Sequence, residues 1–171
     1  MLADEIMVVS DGQVLQSGRC RDVYQRPASA EIGRLLGIDN LFEGTAGAGG
    51  MLLTGGDRVP VGVATGLPTD ARLLWQVPPE ALRIRPGPSP SGARGSTVNL
   101  GRGQVTDVID LGRTVEVVVG LSSGIEIRAR TLEVPDLSVG AACQVETDAD
   151  AVSVWSEPAV TGTRGDTARL A

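Results

Sequence analysis

Thr114-Val115-Glu116-Val117-Val118-Val119, then Gly120-Leu121-Ser122-Ser123-Gly124, then Ile125-Glu126-Ile127-Arg128-Ala129 read as strand, turn and strand. The last five residues alternate apolar and polar, the period of a strand with one buried face, and the valine-rich run before the turn suits the same pleated surface. Residues 120–124 also spell Gly-x-Ser-x-Gly, the pattern of a nucleophile elbow. An elbow serine needs a base, and the 171-residue chain has no histidine. Its 15 basic residues are all arginine, so a Schiff-base lysine and a phosphate-loop lysine are excluded along with imidazole metal sites. No catalytic residue and no metal ligand set is expected.

Working outward, 23 glycines and 10 prolines cut the chain into short pieces, many rich in Val, Thr and Ile, which favours a mainly β body. The aromatic residues are Trp75, Trp155, Tyr24 and Phe42, so the core must be aliphatic. The glycine-rich stretch Gly44–Gly56 lacks the Gly-Lys-Ser/Thr ending of a phosphate cradle and reads as a loop between strands. A net charge of −6 repels phosphate backbones, and few rings are present to stack bases; no nucleic-acid partner is expected. No apolar run approaches the ~20 residues of a membrane span, and no basic-then-apolar leader opens the chain, so a soluble, non-exported protein without direct membrane insertion is expected. Cys20 and Cys143 form no metal spacing, which leaves two free thiols or one bridge.

The N-terminal part reads as a hairpin turned at Asp11-Gly12, a helix over Arg19–Gln25 and a second from Pro27 to Leu36, ended by Gly37. Ile32, Leu35 and Leu36 share a docking face. Beyond it lies an internal echo. Asn40-Leu41-Phe42-Glu43-Gly44 matches Asn99-Leu100-Gly101-Arg102-Gly103, and Gln76-Val77 before Glu80–Ile84 matches Gln144-Val145 before Asp150–Val154. The echo predicts two tandem β modules. The expected units are 1–38, 39–86 and 97–157, with a linker at 87–96 and a flexible tail at 158–171. Modules this small and poor in aromatics should need each other or a second chain to complete their cores, so a homodimer is expected.

Leu2-Ala3-Asp4-Glu5-Ile6-Met7-Val8-Val9-Ser10-Asp11-Gly12, Gln16-Ser17-Gly18, Val23–Ser29 and Leu35-Leu36-Gly37 resemble the end of an ABC-type importer ATPase domain. The resemblance implies that the phosphate loop, signature motif and switch histidine belong to a preceding part, along with ATP and magnesium. It implies that residues 1–38 are the last part of that domain. The rest of the chain is then similar to the TOBE or MOP-like appendages of such subunits, two small OB-like β-barrels in tandem. The resemblance further implies permease subunits as partners and a cytoplasmic place at the inner face of the membrane.

Ser96-Thr97-Val98-Asn99 before Gly103-Gln104-Val105, and Gly124–Ala129, look most like the molybdate branch, although Val98 stands where that branch shows an arginine. An oxyanion site wants backbone N–H groups, hydroxyls and a guanidinium. Arg83, Arg85, Arg94 and Arg102 occur with no acidic residue between Glu80 and Asp107. Ser96, Thr97, Asn99, Arg102 and Gly103 are the candidate ligands for molybdate or tungstate; a solvated arginine-bearing loop is the alternative. The expected function is a non-catalytic regulatory and dimerisation domain. Two other readings stay open: the same domain for a sulfate, iron, polyamine or sugar importer without its own ligand, and a freestanding molybdate store.

Overall fold

The computed structural model describes residues 4–48, 51–54, 57–60, 67–87, 97–132 and 136–156, with backbone alone at 51–54 and 57–60. The first strands, β1 (Glu5–Ser10) and β2 (Gln13–Arg19), pair antiparallel around Asp11 and Gly12, both at positive φ (48° and 76°). A two-residue hairpin turn needs that conformation, and Asp-Gly tolerates it. Next come two short helices, α1 (Cys20–Gln25) and α2 (Ala30–Leu35). The second starts at Ala30 rather than Pro27 because Ser29 Oγ accepts the Ile32 N–H at 3.3 Å and caps it there. Val8, Val23 and Ile32 form a small core with Ile6, Leu15 and Leu36 against it. Leu35, expected on the same face, is exposed instead.

The remaining strands are β3 (Leu41–Ala46), β4 (Met51–Thr54), β5 (Asp57–Pro60), β6 (Arg72–Gln76), β7 (Arg83–Pro86), β8 (Thr97–Asp110), β9 (Val115–Leu121), β10 (Glu126–Thr131), β11 (Ala142–Asp148) and β12 (Ser153–Ser156). The stretch Gly44–Gly56, read from sequence as a loop, in fact holds the end of β3 and all of β4, since Thr45↔Leu53 and Ala46↔Leu52 pair. The fold is mainly β, as expected, with the hairpin and two short helices in front. Two antiparallel sheets carry it, ordered β12-β6-β3-β4-β5 and β7-β11-β8-β9-β10. The two orders are the same, position by position, which is the structural form of the echo. Yet each sheet ends on a strand from the other half. Ile84 of β7 pairs with Val145 of β11, and Val154 of β12 pairs with Trp75 of β6. A 3-10 turn, Pro79–Ala81 or Ala149–Ala151, carries the chain across each time. Among the described residues neither sheet closes on itself.

The exchange answers the shortage of core. Leu73, Trp75 and Val77 from one half and Leu100, Val117, Val119, Ile127 and Val145 from the other form a single buried cluster. Phe42 lies over Trp75 with ring centroids 4.8 Å apart at 43°. Residues 88–96 of the expected linker and the expected tail at 158–171 lie outside the described residues.

Candidate ligand site and ion-pair network

Strand β8 carries four of the five candidate ligands; Ser96 lies outside the described residues. Two bulges shape this 14-residue strand. The first, between Val145 and Glu146 of the partner strand, inserts Leu100 opposite no residue of β11; the second inserts Thr106 opposite β9. Each extra residue reverses which side chains face the core. Thus Val98 and Leu100 are buried, and after the bulge Val105 is buried while Arg102 points to solvent. Without the first bulge, Arg102 would share the inward face of Leu100. Gly103 is required for packing: a Cβ there would overlap the Gly120 carbonyl oxygen.

The candidates do not converge within one chain. Thr97 pairs with Asp148 across β8 and β11 and its hydroxyl bonds that carboxylate. Arg83 reaches the same carboxylate with two bonds, at 2.8 and 3.1 Å. The Arg83 hydrogen bonds are the main cause that holds the Asp148 carboxyl below its usual range; burial opposes them, and the Arg83 charge and the Thr97 bond add to the lowering. Asn99 Oδ1 accepts the Gly101 N–H at 2.9 Å, closing a local turn. Arg102 is exposed and forms no ion pair among the described residues. Five strand residues span about 16 Å, so Thr97 and Arg102 lie too far apart to grip one small anion. Of the positive patch read from sequence, Arg83 is taken by Asp148 and Arg85 lies 3.7 Å from Glu146. Those carboxylates arrive only through the strand exchange. Arg94 lies outside the described residues.

A stronger charge cluster stands elsewhere. Glu116 on β9 faces Arg130 in register, and its buried carboxylate accepts bonds from Arg128 at 3.1 Å and Arg130 at 2.9 Å. Burial pushes the Glu116 carboxyl up, but the bonds from Arg130 and Arg128 outweigh it and hold the group below its usual range. Arg130 also bonds Glu80 of the first half's 3-10 turn at 3.0 Å, and Arg128 bonds Glu126 at 3.0 Å. Sequence reasoning passed over this network. Its signal was the polar face of Glu126-Ile127-Arg128-Ala129-Arg130, a face that needs an acidic partner on the next strand.

Asn40, which opens the echo, is buried and uses its whole carboxamide on β10. Its Nδ2 donates to the Arg128 carbonyl at 2.7 Å and its Oδ1 accepts the Arg128 N–H at 2.8 Å. The 3-10 turns and α1 wall an open cleft of about 910 Å³, lined among others by Arg21, Tyr24, Arg26, Glu80, Asp148 and Asp150. None of the four described candidate ligands lines it. Cys20 and Cys143 are both free.

Residues 77–155 match the family model described as TOBE domain. The molybdate/tungstate import ATP-binding protein WtpC of Pyrococcus horikoshii is 31% identical over 135 residues, covering 75% of this chain and 34% of that protein. The spermidine/putrescine import ATP-binding protein PotA of Acidothermus cellulolyticus is 29% identical over 162 residues, 92% of this chain and 40% of that protein. The sn-glycerol-3-phosphate import ATP-binding protein UgpC of Chromobacterium violaceum is 31% identical over 133 residues, 75% and 33% of the two chains. The chain thus spans about a third to two fifths of the length of these curated relatives. The molybdate-bound crystal structure of the cytoplasmic molybdate-binding protein ModG superposes with a TM-score of 0.55 at 20% identity, covering 70% of this chain and 96% of that one, and so shares the fold. Among the described residues no helix is long and apolar enough to cross a membrane. Hairpin, helix pair and paired sheets therefore belong together: the chain is homologous to the C-terminal region of ABC importer ATP-binding subunits and carries a TOBE domain at residues 77–155.

Proposed function

We propose that this chain is the regulatory and dimerisation region of an importer ATP-binding subunit, without catalysis of its own, working at the cytoplasmic face of the membrane beside permease subunits. The observation that carries the reading is the pair of like-ordered sheets with exchanged last strands, fused to the hairpin-helix unit. Such a body is a rigid block that moves with the helix pair. In this reading 1–38 moves with the ATPase, 39–86 and 97–157 are the exchanged modules, and 87–96 and 158–171 are linker and tail. A ligand held by the block changes the ATPase only by preferring one arrangement of the subunits.

The ligand in this proposal is an oxyanion, molybdate or tungstate, received by Arg102 with Ser96, Thr97, Asn99 and Gly103. The exposed guanidinium of Arg102, set outward by a bulge, supports it. The names of WtpC and ModG support the same choice, and those of PotA and UgpC support the alternative of a domain with another transported substrate. Because the candidates do not meet in one chain, the site is completed by a second copy. Calorimetric titration of the purified chain with molybdate, tungstate and sulfate tests this. Saturable heat with the first two that disappears in Arg102→Ala is the expected result. Absence of heat with every oxyanion overturns the ligand and leaves the dimer to be judged by light scattering.

A further inference from the structure

The two sheets have four end strands, and three of their outer edges are covered or blunted. At β10 the Asn40 carboxamide occupies both backbone groups of Arg128, and Glu80 reaches over to Arg130. Strand β5 lies against β8. Strand β7 carries Arg83 and Arg85 and ends on Pro86, and charge and proline are the usual guards of a sheet edge. Strand β12 is different. It reads Ser153-Val154-Trp155-Ser156, without a charge or a proline, and its one strand neighbour among the described residues is β6. Val154 packs against the core, so the strand is anchored while its outer backbone groups face away from β6.

We propose that β12 is the strand through which two copies of this chain associate, edge to edge and antiparallel about a two-fold axis. This rests on the dimer reading above and names its contact. An open strand edge is a template for another strand, and a two-fold pairing of identical strands is self-complementary. A chain of net charge −6 repels its own copies, and an uncharged edge is where they approach at least cost. Pairing centred on Trp155 sets it opposite the partner's Trp155, and Val154 opposite the partner's Ser156. Four residues supply few hydrogen bonds, so association is reversible and concentration-dependent.

The test is light scattering with size exclusion on the full chain over a range of concentrations, with circular dichroism as the control for folding. Trp155→Lys puts lysine opposite lysine and is expected to be monomeric where the parent is dimeric. Mixing it with the Trp155→Glu variant is expected to restore a mixed dimer, and Arg85→Ala on β7 to leave the parent's state unchanged. Ser156→Lys alone, at the exposed end of the strand, weakens the dimer severalfold and keeps the test readable if the Trp155 variants unfold. A parent that is monomeric at every concentration overturns the dimer reading and this one together. A dimeric parent whose lysine variants stay equally dimeric, or whose lysine and glutamate variants do not pair, overturns the β12 contact alone.

Discussion

The sheets β12-β6-β3-β4-β5 and β7-β11-β8-β9-β10 share a strand order and differ in what holds them. In the first, Trp75 is fully buried under Phe42. The strands of the second contain no aromatic residue; Val117, Val119, Ile127 and Val145 fill its core, and Glu116 with Arg128 and Arg130 ties its outer face. One architecture is thus reached with one large ring or with several valines and an ion network. The fold requires apolar volume between two exchanged sheets, not a particular residue, and the specific polar bonds decide how the halves join.

The comparison breaks first at the ring. Trp75→Ala removes the largest fully buried side chain and is expected to lower stability by about 3–5 kcal/mol, read by denaturant unfolding. A loss below about 1 kcal/mol, small against that range, would show that the first sheet does not depend on it.

Glu116→Gln tests the other cement. It leaves two guanidinium groups without their shared carboxylate, and a cost of about 1.5–3 kcal/mol is expected at neutral pH. The folded carboxyl titrates below its unfolded value. Its contribution is therefore present above the ordinary glutamate range, about 4.3, and is lost as the pH falls through the lower folded value. Melting temperatures measured from neutral pH into the acid range should fall less steeply in Glu116→Gln than in the parent. Parallel curves would remove Glu116 from the acid response.

Next come the two asparagines of the echo. Asn40→Ala strands the Arg128 N–H and carbonyl and should cost about 1–3 kcal/mol, with faster hydrogen exchange at the Arg128 amide. Asn99→Ala breaks one bond within its own turn and should cost about 0.5–1.5 kcal/mol. Equal losses would mean that the two openings do the same work.

The smallest effect is expected at Arg83. Its bond to Asp148 joins the two halves, but both side chains are near two-fifths exposed, at 41% and 42%, so Arg83→Ala should change stability by about 0.2–1 kcal/mol. The same measurement at about 1 M salt should shrink that difference further.

Much of this architecture was legible in residues. Asp11-Gly12 marked the first hairpin, Ile125–Ala129 a half-buried strand, and the repeated Asn-Leu and Gln-Val pairs a doubled unit. Periodicity, turn chemistry and repetition are local, and a chain states them in order. The candidate ligands were legible only as types. Thr97, Asn99 and Arg102 are near in sequence, but an extended strand holds them apart, and the carboxylates of Asp148 and Glu146 that draw off Thr97, Arg83 and Arg85 come from a distant strand. Residue content and local pattern were enough for the β character, for the exclusion of imidazole and lysine chemistry, and for the expectation of two alike halves. Tertiary structure decided that the halves exchange their last strands, that Arg102 faces water, and that Glu116 meets two arginines. The physical reason is that bulges and crossings are set by which surfaces can be buried together, and no single segment of the chain contains both surfaces.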